Sequence, residues 1–322
     1  MRWKLYSWLL VCVLFGGLLM AADQNPAFTN PAEAGPDFAV QGEYLGQTGT
    51  HAWGVQVVAL GDGKFDVVGY RGGLPGEGWK RGDETRLGKG ELKDGVVEVK
   101  GDTWNATIKD GLMTVMHDAN KIGELKKVDR KSPTLAAKPP QGAIVLFDGS
   151  SPDHFDNGQI VEGNLLGASS CVSKHKFGDH TLHIEFRTPF MPKSRGQARG
   201  NSGVYVQGRY EVQVLDSFGL EGKNNECGGI YQLAEPAVNM CFPPLSWQTY
   251  DIDFKAARYD DSGKKTENAR ITIKHNGVVI HDNLELTKGT PGYKPEGSEK
   301  LGLFLQNHGN AVAFRNIWAV EK

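Results

Sequence analysis

Long apolar runs are nearly absent from this sequence of 322 residues, and the one that exists lies at the start. Arg2 and Lys4 precede an uncharged apolar stretch over 9–21, and polarity returns at Asp23. A basic start followed by a short apolar segment is typical of a secretory signal peptide, which we assign to 1–22. A membrane span needs ~20 apolar residues, so an uncleaved anchor is the less favoured alternative. We therefore expect an exported protein (periplasmic, secreted or at the cell surface) with no membrane span in the mature chain.

Cysteine and net charge are also scarce. Of four cysteines, Cys12 falls in the signal segment; Cys227 and Cys241 could form a disulfide or remain buried thiols. A formal net charge of -2 gives no basic surface for nucleic acid, so we expect no such partner. The sequence also has no serine-nucleophile elbow, phosphate loop or His/Cys metal cluster, which disfavours the enzyme classes that depend on them.

Long helical periodicity is missing, whereas glycine is abundant, with 42 residues. Short β-rich runs between Gly-containing turns predict an all-β fold. Asp-Gly pairs at 62–63, 94–95 and 110–111 adjoin such runs, and both residues of these pairs tolerate the positive φ of tight hairpins. The pattern predicts a small antiparallel β domain over 37–129.

The second half of the chain has a clearer strand pattern. Residues 130–142 are rich in proline and small residues, which is typical of a linker. Beyond it, Thr181–Arg187 alternates strictly between apolar and polar residues, and Asn276-Gly277 joins two alternating runs. These features predict a sandwich of two antiparallel sheets over 143–322.

The polar stretch over 199–216 contains the candidate chemistry. Its apolar residues Tyr210, Val212 and Val214 share one strand face, which we assign to the core. The outer, concave face then holds the polar residues between them: Arg209, Glu211 and Gln213.

Two carboxylates near a cleft are what glycoside cleavage commonly uses, and Asp216 could join Glu211 through a bulge or the strand end. Alternatively, Glu211 could form an ordinary surface ion pair with Arg209 or Arg187. Gln306 and His308 share a face near a second strand end. His308 could act as a base, since its ordinary pKa lies near 6.5, or it could fix a turn.

The order of motifs after residue 142 resembles the 3-keto-disaccharide hydrolase family. The chain departs from the family at His154-Phe155, where Gly-Trp is usual, and at Gln248, which replaces Asn after Trp247. The resemblance implies a concanavalin-like β-sandwich, or jelly roll, for the C-terminal domain. The matching segments are Val145–Gly149, Gly200–Val204, Glu211–Asp216, Cys227–Tyr231, Leu305–Gly309 and Phe314–Ile317.

The resemblance also implies a carbohydrate substrate and an enzyme that cleaves 3-keto-glycosides, by hydrolysis or by elimination and hydration. Related glycosidases keep Glu-x-Asp-x-x-Glu, and Gln213 in the middle position disfavours a two-carboxylate mechanism. Elimination needs one base and a group that stabilises the enolate, which could be Arg199, Asn201, Arg209 or a metal. The catalytic candidates are Glu211, Asp216 and His308. The candidate substrate-binding residues are Arg199, Asn201, Arg209, Gln213 and Gln306.

Two other functions fit the same pattern. A lectin-like module would use the polar face to bind glycans without catalysis, and an envelope protein would use its β domains to bind other proteins. A divalent metal such as calcium is also compatible with the sandwich, with oxygens from the aspartates at 251 and 253 or at 260 and 261.

Overall fold

A computed structural model describes residues 25–322, so the expected signal peptide at 1–22 lies outside the described residues. The described chain is built almost entirely of β-strands, with a short helix α1 (Gly35–Val40) and 3-10 turns at Pro31–Glu33 and Gly196–Ala198. This architecture confirms the predicted all-β class. None of the helices within these residues has the length and apolar character needed to cross a bilayer.

The first ten strands form a small barrel domain and its loops. Eight of them close into an antiparallel barrel in the order β1-β10-β9-β8-β7-β6-β3-β2, while β4 pairs with β5 in the loop after β3. Asp62 and Gly63 have φ of 55° and 70°, as the Asp-Gly turn chemistry predicts. The strands are β1 Gly42–Thr48, β2 His51–Gly61, β3 Lys64–Arg71, β4 Leu74–Pro75, β5 Gly78–Trp79, β6 Thr85–Lys93, β7 Val96–Gly101, β8 Asn105–Lys109, β9 Leu112–His117 and β10 Asn120–Val128.

Thirteen of the remaining strands form a β-sandwich, and β20 and β21 pair with each other in a separate two-stranded sheet. An eight-stranded sheet has the order β13-β14-β25-β16-β19-β22-β23, with β11 beside β25, and it packs on a five-stranded sheet β12-β15-β24-β17-β18. The strands are β11 Ile144–Phe147, β12 Phe155–Asp156, β13 Ile160–Val161, β14 Leu165–Gly167, β15 Cys171–Ser173, β16 His180–Arg187, β17 Ser202–Val206, β18 Tyr210–Val214, β19 Gln248–Lys255, β20 Arg258–Tyr259, β21 Lys265–Glu267, β22 Ala269–His275, β23 Val278–Leu286, β24 Phe304–Leu305 and β25 Ala313–Glu321.

The alternation of apolar residues decides how the two sheets face each other. Leu182, Ile184 and Phe186 of β16 and Val204 and Val212 of the opposite sheet belong to one buried cluster. Burying each such side chain stabilises the fold by about 1.5–3 kcal/mol, so a strand shifted by one residue would lose several of these contributions at once. The packing therefore fixes which residues point away from the core.

Aromatic packing closes one end of the barrel against the sandwich. The Phe38 ring of α1 lies 5.3 Å from the ring of Phe190, which comes from the sandwich and packs into the barrel core. Phe28 exchanges backbone hydrogen bonds of 2.9 Å with Phe190. The barrel core is thus completed by residues from outside the barrel.

Three arginines bind the two domains through backbone carbonyls. Arg81, between β5 and β6, donates to the carbonyl oxygens of Glu221, Gly222 and Pro236 in the sandwich. In the opposite direction, Arg195 donates to Leu60 O (3.0 Å) and Arg199 donates to Ala59 O (3.1 Å). These bonds set the barrel beside the 195–201 segment of the sandwich.

The linker lies as a strap over the outer face of the eight-stranded sheet. Ser132 Oγ contacts Thr249 Oγ1 at 2.6 Å, Thr134 Oγ1 donates to Asp251 Oδ2 at 2.6 Å, and the Ala136 amide donates to Glu185 Oε1 at 2.5 Å. The polar side of β16 is therefore buried beneath the strap instead of facing solvent.

Glu185 is the centre of this buried network. Arg315 Nε donates to its Oε2 at 2.7 Å, and Asn316 Nδ2 donates to its Oε1 at 2.9 Å. Burial by itself would raise the pKa of Glu185, but its bonds from His183, Asn316, Arg315 and Ala136 outweigh burial and lower the pKa to about 2.

Replacing Glu185 with glutamine is expected to lower the free energy of unfolding by about 2–4 kcal/mol, because the donors around it lose their charged acceptor. Since the folded-state pKa lies below the ordinary 4.5, the carboxylate's contribution is complete above that pH and is lost as the pH falls toward 2. Urea unfolding at neutral pH and at about pH 3 should show a smaller acid loss in the variant. The control, Glu285→Gln in an exposed pair with Arg270, should cost at most about 1 kcal/mol. Equal effects from both variants would contradict the anchoring role.

Candidate functional site

The polar side of the five-stranded sheet gathers most of the predicted residues. In the antiparallel register, Tyr205 of β17 pairs with Glu211 of β18, and Gly203 pairs with Gln213. Gln306 follows β24, and its backbone amide donates to Gly203 O at 3.0 Å. Because Tyr210, Val212 and Val214 lie in the core, Glu211 and Gln213 point to the opposite side, as the alternation predicts.

Loops cover this face more closely than a solvated sheet face would allow. Glu211 is only 3% exposed and Gln213 only 1% exposed. The loop after β23 contributes Thr290, whose Oγ1 accepts a hydrogen bond from the Glu211 amide at 2.8 Å. On another side, the Tyr231 amide donates to Glu211 O at 3.1 Å. The face that the sequence predicts to be outer and concave is therefore covered, and the candidate site is a buried cluster of side chains beneath loops, bordered by half-buried residues such as Tyr231 and Gln306.

A carboxyl and a phenol form the centre of this buried cluster. Tyr205 Oη donates to Glu211 Oε2 at 2.8 Å, and Gln306 Nε2 donates to Tyr205 Oη at 3.2 Å. A Cβ on Gly203 would come within 2.3 Å of Glu211 Oε1, so glycine leaves the space that this oxygen occupies. Among residues 25–322, no side chain donates a hydrogen bond to Oε1, which leaves that oxygen for a ligand.

The surroundings of Glu211 change its ionisation. Burial raises the pKa of Glu211 to about 7, and the hydrogen bond from Tyr205 opposes part of that rise. Neither arginine considered from the sequence pairs with it, since Arg187 binds Glu162 at 2.5 Å and Arg209 binds elsewhere. Burial also raises the pKa of Tyr205, so its hydroxyl stays protonated and remains a donor. A carboxyl with a pKa near neutrality can both accept and return a proton under mild conditions.

Side-chain amides surround the pair and offer unused acceptors. Asn201 Nδ2 and Gln213 Nε2 both donate to Gln197 Oε1, each at 3.1 Å. Within the described part of the chain, Asn201 Oδ1, Gln213 Oε1 and Gln306 Oε1 are buried and receive no hydrogen bond. A buried acceptor without a donor costs about 1–3 kcal/mol, so these oxygens favour a ligand rich in hydroxyl donors.

Asp216 and Arg199 do not belong to this site. Arg199 Nε donates to Asp216 Oδ2 at 2.6 Å, and the other carboxylate oxygen accepts from the Phe218 amide. Since β18 ends at Val214 and an extended strand rises ~3.3 Å per residue, Asp216 lies on the order of 15 Å along the chain from Glu211. The expected carboxylate pair is thus replaced by one carboxyl at the site and one buried ion pair beside the barrel.

Arg209 and His308 also differ from their expected positions. Arg209 is buried and donates to the carbonyl oxygens of Pro295 and Glu299, each at 2.9 Å, so it holds the loop after β23 instead of facing a ligand. His308 is exposed, and its ring makes no hydrogen bond or ion pair with any residue from 25 to 322. Its loop contacts the site through Asn310 Oδ1, which accepts from the Asn201 backbone amide at 2.7 Å.

Three of the four aspartates considered for calcium have other partners. Asp251 Oδ1 contacts His183 Nδ1 at 2.6 Å, Asp253 binds Lys322, and Asp260 accepts hydrogen bonds from its own turn at Ser262. Across residues 25–322, no three acidic, histidine or cysteine side chains gather in a way that could hold a metal ion.

The structure also decides whether Cys227 and Cys241 form a disulfide or remain buried thiols. Cys171, Cys227 and Cys241 are all buried free thiols. The Cys227 thiol lies 3.3 Å from the hydroxyl of Tyr250, whose own hydrogen bond goes to Gln213 O at 2.6 Å. These thiols belong to the buried core of the sandwich.

Two residues of the site were not predicted from the sequence. Tyr205 lies opposite Glu211 because the turn between β17 and β18 spans three residues, 207–209, which gives Val206 and Tyr210 as the pair nearest the turn. The six-residue separation between Tyr205 and Glu211 could have indicated this only with the turn length known. Gln197 lies in a 3-10 turn, for which the sequence contains no periodic signal.

Comparison with known proteins gives a family match over the sandwich domain. The profile of the family described as 3-keto-alpha-glucoside-1,2-lyase-like domain matches residues 142–320. A candidate glycosyl hydrolase from Parabacteroides distasonis ATCC 8503, solved at 2.13 Å, is 29% identical with a TM-score of 0.52, covering 57% of this chain and 85% of that chain. A second candidate from the same organism, solved at 1.70 Å, is 17% identical with a TM-score of 0.42, covering 56% and 94%. No protein with a curated description matches significantly.

The family match extends over both sheets of the sandwich and includes every residue of the buried cluster around Glu211. It takes in more than half of the chain and confirms the resemblance drawn from the sequence motifs. The chain therefore belongs to the 3-keto-alpha-glucoside-1,2-lyase-like domain family.

Proposed function

We propose that this protein is an exported enzyme that cleaves 3-keto-glycosides at the glycosidic bond, with Glu211 as the base. The observation that supports it most is a single buried carboxyl with a pKa of about 7, hydrogen-bonded to a protonated tyrosine. The family match supports a glycoside substrate with a ketone at C3. The signal-like pattern at 1–22 supports export.

One base is sufficient for elimination. A ketone at C3 makes the hydrogen on C2 acidic, because the electron pair left behind is delocalised into an enolate. Glu211 Oε1 takes that proton, the enolate expels the oxygen substituent from C1, and the leaving group gains a proton. Water then adds to C1 while a proton returns to C2, so the net reaction is hydrolysis. A base with a pKa near the working pH suits both proton transfers.

The neighbouring donors suit the charge that develops on the ketone oxygen. Tyr205 Oη lies between two acceptors, Glu211 Oε2 at 2.8 Å and Pro291 O at 3.2 Å, and the amide of Gln306 donates to it. Tyr205 has one hydroxyl proton, which it donates to Glu211 Oε2 while the carboxylate is charged. Once Glu211 has taken the C2 proton through Oε1, that hydroxyl can turn to the enolate oxygen and stabilise it by hydrogen bonding. The arginines that the sequence suggested for this role are occupied by Asp216 and by loop carbonyls.

The amide-rich lining also favours a second candidate, a glycan-binding module without catalysis. Gln197, Asn201, Gln213 and Gln306 could bind sugar hydroxyls whether or not Glu211 reacts. The two functions differ in their requirement for the Glu211 proton, which the variants below test.

Glu211→Gln is expected to lower kcat/KM for release of the aglycone from a 3-keto-glucoside by about 10²–10⁴, because the amide cannot take the C2 proton. Glutamine has nearly the same shape and still accepts the Tyr205 hydrogen bond, so folding should persist, as circular dichroism would check. The control is His308→Ala at the exposed rim, which should leave turnover nearly unchanged. Full activity of Glu211→Gln would refute the assignment of the base, and wild-type binding of glycans without turnover would favour the glycan-binding module.

The pH dependence follows from the same carboxyl. Only the ionised form of Glu211 can act as the base, so kcat/KM should rise with pH through about 7 and level off above it. Initial rates from about pH 5 to about pH 9, corrected for spontaneous breakdown with Glu211→Gln as the blank, measure this limb. A profile that is flat across neutrality would mean that another group is the base.

Tyr205→Phe removes the hydrogen bond that holds down the pKa of Glu211, so the acidic limb should move to a pH above that of the wild type. Loss of the donor to the enolate should also lower kcat/KM by about tenfold or more. Tyr44→Phe is the matched control, since it removes a buried hydroxyl that donates to Val40 O inside the barrel domain. A purely structural role for Tyr205 would reduce the rate without moving the limb.

A further inference from the structure

A large cleft separates the outer wall of the barrel from the sandwich. It has a volume of about 900 Å³, in the upper part of the ~300–1,000 Å³ range of pockets that bind small molecules. Strands β3 and β6 of the barrel form one wall, and the segments around Phe218 and Glu226 form the other. The reaction proposed at Glu211 does not use this cleft.

Large apolar side chains that line the cleft are open to solvent. Leu87 of the barrel is 68% exposed and Leu220 of the sandwich is 43% exposed, and both line the cleft. Trp79 lines it as well, with its ring edge-on to Tyr70 at 5.0 Å. Exposed large apolar side chains that meet from two domains around one cavity indicate a binding surface.

The charges around the cleft are balanced. Acidic and basic side chains line it in equal number, six of each, so neither a polyanion nor a polycation is favoured. Exposed apolar side chains together with charged groups of both signs suit a neutral ligand that has both CH faces and hydroxyl edges. Sugar rings have this character.

One short segment joins the cleft to the site at Glu211. Gly196 and Arg199 line the cleft, whereas Gln197 and Asn201 belong to the amide lining of the site. On the facing loop, Asn225 O accepts a hydrogen bond from Gln197 Nε2 at 2.7 Å, and the next residue, Glu226, lines the cleft. The cleft and the site at Glu211 are therefore neighbours that share this one segment of the chain.

We propose that the cleft between barrel and sandwich is a second binding site, which takes the outer units of a neutral oligosaccharide whose reactive sugar lies at Glu211. This inference rests on the proposed function for the choice of ligand. It gives the barrel a role in binding: its wall supplies Leu87 and Trp79, which the sandwich does not provide.

The test measures binding instead of turnover, using the Glu211→Gln protein and calorimetry. The probes are methyl α-glucoside, maltohexaose, isomaltohexaose and nigerohexaose. Leu87→Ser and Trp79→Ala alter the cleft. Ile122→Ser is the matched control, because Ile122 is an exposed apolar residue, 37% exposed, that lines a separate pocket at one end of the barrel.

At least one hexasaccharide should bind about tenfold or more tightly than methyl α-glucoside. Both cleft substitutions should weaken binding of that hexasaccharide by about five- to thirty-fold and leave binding of methyl α-glucoside unchanged. The control substitution Ile122→Ser should change neither. The proposal is overturned if no hexasaccharide binds more tightly than the monosaccharide or if Leu87→Ser has no effect on binding. It is also overturned if casein peptides bind in a way that both cleft substitutions weaken and the sugars do not bind. Length-dependent binding by a wild type without 3-keto-glycoside turnover would refute the proposed function and leave the cleft site standing.

Discussion

The burial of one face of β18 is the constraint on which the candidate site depends. Tyr210, Val212 and Val214 enter the core of the sandwich, and each contributes about 1.5–3 kcal/mol through removal of apolar surface from water. That energy forces Glu211 to the opposite side, although its carboxyl is then held under loops and away from bulk water. The raised pKa of Glu211 is therefore a consequence of packing that stabilises the fold as a whole.

Two buried glutamates show how the same residue type acquires opposite properties. Glu185, on the larger sheet, is surrounded by donors from His183, Arg315, Asn316 and the strap, and its pKa falls to about 2. Glu211 receives one hydrogen bond from a neutral phenol, and its pKa rises to about 7. The first is a fixed charge that holds the linker, whereas the second can exchange protons near neutrality.

The barrel is joined to the sandwich in a way that affects the site indirectly. Arg195 and Arg199 donate to barrel carbonyls from the same segment that carries Gln197 and Asn201. Bonds that hold the domains together therefore also hold the segment that carries Gln197 and Asn201. The ion pair of Arg199 with Asp216 belongs to this junction, which explains why both residues looked functional in the sequence yet lie apart from Glu211.

The fold class, the hairpin turns and the side of β18 on which Glu211 and Gln213 lie are predictable from the amino-acid order, because they follow from local chain chemistry and from the two-residue period of a strand. The order of motifs also determined the family. What surrounds those side chains depends on contacts between segments that are far apart in the chain. Thr290 reaches Glu211 from the loop after β23 and Gln197 reaches Gln213 from a 3-10 turn, whereas Asp216, Arg209 and His308 are held away from Glu211 by contacts that no local pattern contains. Burial and hydrogen-bond partners set a pKa, and both depend on which loops meet over a face, so the chemistry of Glu211 required the folded arrangement.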